Sequence, residues 1–273
     1  MRPRDRSRSW GWTLAGVLGS AVLVALLLLP FAALLLRAEP RELWARMGDP
    51  AVCEALRLSL VTSACATALV VVCGTPLAWA LARHEFRGKR ALEVLVDLPM
   101  LVPPTVAGLA LLLAFGRMGL AGDTLAAFGV SLPFTTAAVV LAQAFMATPL
   151  FVNAARAGFE GLDDTLLETA ATLGAGPARR FVRVVLPLAA PALLAGTAMA
   201  AARALGEFGA TITFAGNLQG VTRTMPLAVY LALQSDLDLA VLLALVLLVA
   251  AALLLFALRM ARPFGRGGRD ARR

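Results

Sequence analysis

The sequence predicts an all-α protein that crosses a membrane six times. Hydrophobic residues make up 60% of the 273 residues, and the mean hydropathy is +0.81. Soluble domains are about half apolar, and a helix that spans a bilayer needs roughly 20 mainly apolar residues. Six segments reach or approach that length, at residues 12–36, 58–81, 92–115, 132–155, 188–208 and 239–258. We expect residues 1–273 to form a single transmembrane domain.

The basic residues predict that both termini lie in the cytoplasm. With the N-terminus inside, 18 of the 25 Lys and Arg residues fall in cytoplasmic segments, which is the asymmetry that the positive-inside rule requires. The net charge of +8 therefore indicates membrane topology rather than nucleic-acid binding. The first apolar run is too long for the core of a signal peptide, so we interpret it as a retained anchor that faces lipid.

Two of the segments on the outer side carry further predictions. Residues 37–57 mix acidic and basic side chains, and we expect a short interfacial helix near residues 42–47 with Trp44 at the level of the lipid headgroups. Residues 209–238 are partly apolar, and we expect them to re-enter the protein before the last span.

The cytoplasmic segment 156–187 has its own helix signals. Thr165 and Glu168 have the spacing of a capping box, Gly174 is a residue that often ends helices in the left-handed conformation, and Pro177 suits the first turn of another helix. A helix this short is marginal alone in water, so it needs a partner surface. An ordinary amphipathic surface helix is the alternative that capping alone leaves open.

Prolines interrupt the third predicted span. Pro99, Pro103 and Pro104 each remove a backbone donor, and inside a bilayer the freed carbonyl groups need neighbouring helices or a water-filled cavity. The segment is therefore a candidate wall of a substrate pathway, with a kinked packing helix as the alternative.

The fifth predicted span contains two charged residues that lie four positions apart. Arg203 and Glu207 share a helix face and are able to pair, and ionisable groups within spans usually face a protein interior or a polar cavity. We interpret them as a structural or gating ion pair. An anion that loses water on such a path needs replacement donors, and the candidates are Thr105, Thr211 and Thr213. A hydroxyl bonded back to its own helix is the alternative for each threonine.

Several function classes lack their expected residues. The sequence has no G-x-x-x-x-G-K-[ST] phosphate loop and no catalytic constellation, so we expect a protein that is not an enzyme and that binds no cofactor itself. The three cysteines, Cys53, Cys65 and Cys73, have no metal-binding spacing, and we expect no metal site and buried thiols. A secondary carrier that works without ATP stays open as a different class.

The segment that begins at Glu168 resembles the EAA loop of binding-protein-dependent ABC importer permeases. The matching residues are Glu168, Ala170, Gly174, Leu186 and Pro187. The resemblance implies that this loop carries a coupling helix, which takes force from a cytoplasmic ATPase. The residues expected to contact the ATPase are then Glu168, Thr169, Ala170, Ala171, Gly174 and Pro187.

Three further runs resemble the molybdate and sulfate importer permeases. They are A-R-A-L-G-E-F-G-A-T at 202–211, F-A-G-N at 214–217 and R-T-M-P-L-A-V-Y-L-A-L-Q-S-D-L-D at 223–238, of which the last is most similar to the molybdate branch. The resemblance covers about residues 56–258. It implies a type I ABC importer permease fold, a bacterial inner-membrane location, and gating or pathway roles for Pro103, Pro104, Thr105, Arg203, Glu207, Thr211 and Thr213.

The same resemblance implies the partners and the cargo. It implies a second copy of this chain, two cytoplasmic subunits that bind ATP, and a soluble oxyanion-binding protein outside the membrane. Molybdate is the implied substrate. Tungstate, sulfate and thiosulfate stay open, because tetrahedral oxyanions of similar charge are not separated by these residues.

Overall fold

The computed structural model describes residues 6–38, 46 and 48–260. Within these residues the chain is helical, and a π-helical turn, Phe181–Val185, joins the eighth helix to the ninth. In chain order the α-helices are α1 Arg6–Arg37, α2 Pro50–Arg83, α3 Lys89–Leu101, α4 Pro104–Phe115, α5 Gly122–Ala127, α6 Thr136–Glu160, α7 Asp164–Thr172, α8 Pro177–Arg180, α9 Leu186–Leu205, α10 Gly209–Ala215, α11 Met225–Ala232 and α12 Leu237–Met260.

Five helical segments within the described residues are long and apolar enough to cross a membrane. They overlap the first, second, fourth, fifth and sixth predicted spans, and they are Gly16–Arg37, Pro50–Arg83, Thr136–Glu160, Pro177–Leu205 and Leu237–Leu258. The multi-pass, all-α fold class is therefore confirmed.

The third predicted span, residues 92–115, is interrupted at its prolines and forms two helices. Helix α3 ends at Leu101, and Val102 and Pro103 are extended, with ψ angles of 134° and 137°, before α4 begins at Pro104. A proline forces the residue before it out of the helical region, so the adjacent pair Pro103–Pro104 ends one helix and starts another. Pro104 lies in the first turn of α4, where a missing N–H group leaves no hydrogen bond unmade.

Helix α6 lies at the centre of the bundle and packs against α2, α9, α10 and α3. The core between α2, α6 and α9 contains fully buried Phe151 and Phe159 beside alanines such as Ala147 and Ala200. Small side chains let helix backbones approach closely, which is the usual way for helices to associate within membranes.

The segment 209–238 packs into the bundle, as predicted. Helix α10 lies against α4 and α6, and α11 lies against α12 and α2. The side chains of Phe214 and Met225 have no exposed surface, and the Met225 N–H donates to Ser59 Oγ at 2.7 Å. The helix predicted at residues 42–47 lies outside the described residues except for Arg46, whose guanidinium pairs with the Asp236 carboxylate at 2.8 Å.

The cysteines are exposed on the bundle surface rather than buried, so that expectation was wrong. All three belong to α2, whose buried stripe passes through Ser59, Ala66 and Val70 instead. A thiol is apolar enough for lipid as well as for a core, so its hydrophobicity does not predict which face of a spanning helix it takes. Among the described residues no three His, Cys, Asp or Glu side chains group as metal ligands.

Helix α1 is exposed along Gly16–Arg37 apart from a half-buried Leu34. Its side chains are mostly apolar, so an exposed surface of this kind suits contact with lipid rather than with water. The arrangement agrees with the expectation that the first span faces lipid.

Two glycines allow α4 and α10 to touch. A Cβ atom on Gly108 would lie 2.7 Å from the Ala210 carbonyl oxygen and 2.8 Å from Thr213 Cβ, and a Cβ atom on Gly209 would lie 2.6 Å from Pro104 Cβ. These contacts involve backbone or short side chains, which have little freedom to move away.

We predict that Gly108→Ala destabilises the protein by about 1–3 kcal/mol, the usual cost of overpacking. The measurement is the midpoint of thermal unfolding of the purified protein in detergent. Gly16→Ala is the matched control, because it also adds a methyl group to a helix but meets no atom within 4 Å. An equal midpoint for both variants would contradict the tight α4–α10 contact.

Candidate functional site

Helix α7 begins at Asp164 and is capped by the residue before it. The Asp163 carboxylate accepts a hydrogen bond from the Thr165 N–H at 2.9 Å, and this backbone bond, helped by the Thr165 hydroxyl, lowers the pKa of Asp163. The predicted capping box starting at Thr165 was therefore wrong by two residues. Asp163 has the extended backbone of an N-cap and a carboxylate, which suits the positive end of a helix.

The predicted left-handed stop at Gly174 is confirmed, with φ at +80°. The Ala175 N–H donates to the Ala170 carbonyl at 3.0 Å and the Gly174 N–H donates to the Ala171 carbonyl at 2.9 Å. This pair of bonds is a Schellman motif, which satisfies carbonyl groups at the helix end. Pro177 then opens α8, as predicted.

The outer surface of α7 is exposed and partly apolar. The side chains of Leu166 and Leu173 are 47% and 82% exposed, while Leu167 packs inward against the core. Of the residues predicted to contact an ATPase, Ala170 is half-buried and the others in this helix and its cap are exposed, namely Glu168, Thr169, Ala171 and Gly174. The helix therefore presents a low surface of small and apolar side chains.

Arg83 ties the end of α2 to the start of α7. Its Nη2 atom donates to the Leu162 carbonyl at 2.9 Å, its Nη1 atom pairs with the Asp164 carboxylate, and its guanidinium lies 5.7 Å from the ring centroid of Trp79. The sequence analysis used Arg83 only as a topology signal and missed this role. The spacing of Trp79 and Arg83, one helical turn apart at the end of a span, was the available signal.

Three aromatic rings connect this contact to the rest of the bundle. The Trp79 ring meets the Phe159 ring edge-on, with centroids 5.3 Å apart, and the Phe181 ring at 5.4 Å. Phe181 begins the π-helical turn, in which the Leu186 N–H donates to the Phe181 carbonyl. Pro187 follows directly and has no N–H to continue the α-helical ladder, which accounts for the wider turn at this point.

The predicted ion pair between Arg203 and Glu207 is present, with Arg203 Nη1 2.6 Å from Glu207 Oε2. The Glu207 side chain is fully buried and that of Arg203 is 29% exposed. Glu207 Oε1 accepts from the Ala210 N–H at 2.8 Å, in the first turn of α10. The carboxylate thus joins α9 to α10: Oε1 accepts a hydrogen bond from α10, whereas Oε2 is close to the guanidinium in charge pairing but has no hydrogen bond of good geometry.

The remaining predicted pathway residues lie around the α4–α10 contact. Thr211 is fully buried and its hydroxyl has no hydrogen-bond partner, whereas the Thr213 hydroxyl donates to the Gly209 carbonyl at 3.0 Å, the back-bonded alternative. Thr105 is exposed beside Pro103 and Pro104 at the start of α4. The structure therefore packs the second half of the third predicted span against the re-entrant segment that follows the fifth.

The sequence matches the family described as "Binding-protein-dependent transport system inner membrane component" over residues 74–262. The molybdenum transport system permease protein ModB of Mycobacterium tuberculosis is 44% identical over 263 residues, covering 96% of this chain and 97% of that protein. The Escherichia coli ModB is 44% identical over 67% of this chain and 80% of its own length. The sulfate transport system permease protein CysT of Escherichia coli is 36% identical, with 94% of each chain covered.

Solved structures share the fold. A chain of a bacterial alginate ABC transporter, crystallised with an alginate-bound periplasmic protein, has a TM-score of 0.77 and 15% identity, covering 98% of this chain and all of that chain. A chain of the MetNI methionine ABC transporter has a TM-score of 0.57 over 81% of this chain and 96% of that one, at 15% identity. The chain belongs to the binding-protein-dependent inner membrane components and is a multi-pass permease of the ABC importer family.

Proposed function

We propose that this chain is the membrane subunit of an ATP-driven importer that moves molybdate into the cytoplasm. The observation that carries the proposal is the 44% identity to the ModB protein of Mycobacterium tuberculosis over nearly the full length of both chains. The exposed, doubly capped helix α7 supports it, because an importer without its own phosphate loop needs a surface through which to receive work from an ATPase.

The proposed complex contains two copies of this chain, two ATP-binding subunits and a soluble oxyanion-binding protein. ATP binds to the partner subunits, and this chain holds no cofactor. Segment 156–187 faces the cytoplasm and carries α7 as the coupling helix. Leu166 in α7 and Leu173 at its C-cap are exposed, and binding to a partner would bury their apolar area.

We propose that movement of α7 reaches the bundle through Arg83. The guanidinium holds the first turn of α7 by two contacts, and Trp79 beneath it touches both Phe159 of α6 and Phe181 of the π-helical turn. A displacement of the coupling helix therefore pushes directly on the ends of α2, α6 and α9, which form the main core.

We propose that the pathway runs beside α4 and α10, at the interface between two copies of the chain. The exposed face of α4 carries Thr105, and the buried Thr211 hydroxyl on α10 is free to bond a ligand when the helices separate. The ion pair of Arg203 and Glu207 controls the junction of α9 and α10, so opening that junction is the proposed gating step.

Sulfate is the second candidate substrate, favoured by the 36% identity to CysT over 94% of each chain. A carrier that works without ATP is the alternative of a different class.

We predict that molybdate stimulates ATP hydrolysis by the reconstituted complex of this chain, its ATPase and its binding protein. Sulfate at the same concentration should stimulate it much less. The measurement is phosphate release from proteoliposomes, with the binding protein omitted as the control. Stimulation by sulfate but not by molybdate would show that the substrate is sulfate. Transport without any ATPase subunit would show that the chain is a carrier that works without ATP.

Gly174→Val is predicted to uncouple the transporter. A non-glycine residue at positive φ costs about 1–2 kcal/mol, more for a β-branched side chain, so the end of α7 should lose its Schellman motif. ATPase binding and molybdate uptake should both fall, while membrane insertion stays normal. Gly176→Val is the control, because Gly176 has φ of −63° and likewise has no atom near its added Cβ. Normal uptake by Gly174→Val would disprove the docking role.

A double mutant tests whether Arg203 and Glu207 stabilise the protein as a pair. Arg203→Ala should leave the Glu207 carboxylate buried without its counter-charge, at a cost of about 3–5 kcal/mol, and should reduce thermal stability and uptake. Arg203→Ala combined with Glu207→Ala should recover part of the lost stability, since no charge is then stranded. A double variant no more stable than the worse single variant would show that the two residues do not act as a pair.

A further inference from the structure

A cleft of about 620 Å³ lies behind α7, between the last turn of α2, α8 and the π-helical turn. Its polar lining comes from Arg83, His84, Asp164 and Arg180, and Trp79 and Phe181 form part of an apolar wall. The volume falls within the range of about 300–1,000 Å³ that is usual for ligand sites. The combination of guanidinium groups with an apolar wall is suited to an amphipathic anion.

Arg180 is the arginine in this cleft whose charge has no acidic partner among the described residues. Its Nε atom is buried and has no hydrogen-bond partner, and none of the described carboxylates forms an ion pair with it. The Nε atom of Arg83 is also buried without a partner, but the charge of Arg83 is already neutralised by the Asp164 carboxylate. A buried donor without a partner is costly, and more so when it is charged. A ligand that supplied an acceptor here would remove that cost.

The position of the cleft favours a lipid as the source of the anion. Helix α2 is apolar along most of its 34 residues and ends at Arg83, directly beside the cleft, where a charged loop follows. Trp side chains are typical of the membrane–water boundary, and basic pockets between helices on the cytoplasmic side bind acidic phospholipid headgroups. A free phosphate ion has no apolar part, so it would make no contact with the wall formed by Trp79 and Phe181.

We propose that the cleft binds an anionic phospholipid, with the phosphate at Arg180 and an acyl chain against Trp79 and Phe181. The inference rests on the proposed function for the cytoplasmic placement of this end of α2. The bound lipid contacts α8 and the same aromatic rings that support α7. The phospholipid composition of the membrane therefore affects how firmly the coupling helix is held.

The test uses the purified full-length chain in mild detergent. Native mass spectrometry counts bound lipids after addition of phosphatidylglycerol or phosphatidylcholine, and thermal unfolding is followed in parallel. We expect phosphatidylglycerol to remain bound and to raise the unfolding midpoint, and Arg180→Gln to weaken its binding about tenfold, the loss of one charge-assisted hydrogen bond. Inorganic phosphate should give no comparable stabilisation.

Two further variants test whether lipid binding depends on the cleft itself. Arg179→Gln removes the same charge from the neighbouring exposed residue, which does not line the cleft, and should bind phosphatidylglycerol normally. Ala178→Phe keeps every charge but fills part of the cleft, and should lose the lipid even if Arg180→Gln proves unstable.

Equal losses in Arg179→Gln and Arg180→Gln would overturn the proposal in favour of nonspecific surface charge. Stabilisation by inorganic phosphate equal to that by phosphatidylglycerol would overturn it in favour of a free-anion site. If the lipid fails to bind while molybdate still stimulates the reconstituted ATPase, the cleft proposal alone is wrong. If that stimulation is absent, the proposed function fails independently of the lipid result.

Discussion

The constraint on which the structure depends is that backbone hydrogen bonds inside a bilayer have to be made within the protein. Uninterrupted helices meet this requirement, and two of the places where the described residues depart from them lie at prolines. Pro104 separates α3 from α4 beside the contact with α10, and Pro187 follows the π-helical turn that touches Trp79. Pro104 and Pro187 are both exposed, and each interruption lies next to one of the two candidate functional regions.

Helix α2 connects α7 to α11. Ser59 near its start caps α11 through Met225, and Arg83 at its end holds α7. These two residues are separated by about 36 Å along the helix, at 1.5 Å per residue. Because α2 packs against α6 and α9 between these residues, a push at α7 would change the position of α2 relative to its neighbours. A continuous packed element of this kind is the sort of physical link that coupling between distant sites requires.

Local signals in the sequence predicted most of the fold but only part of the site. Five of the six spans predicted from long apolar runs are present as single helical segments. Gly174 predicted the end of α7, and the spacing of Arg203 and Glu207 predicted their contact, because these two signals act within one or two helical turns. The contacts of Arg83 with Leu162 and Asp164 join residues about 80 positions apart, and no local pattern contains that information. The prolines predicted a disruption of the third span, but hydropathy records only how apolar a segment is and did not show that this segment forms two separate helices.

The buried carboxylate near the proposed anion route is compatible with anion transport because of how its charge is placed. Glu207 has no exposed surface, and its two oxygens face Arg203 and the Ala210 N–H. Arg203 keeps 29% of its side chain exposed, so the accessible part of the pair is the guanidinium. An oxyanion that approaches α9 therefore meets a positive group first, while the negative charge is held inside by a partner and a helix N-terminus. Opening the junction between α9 and α10 would weaken the bond to Ala210 and leave Arg203 as the main counter-charge of Glu207. In the proposed gating step, the pair would therefore hold the junction closed without repelling an anionic cargo.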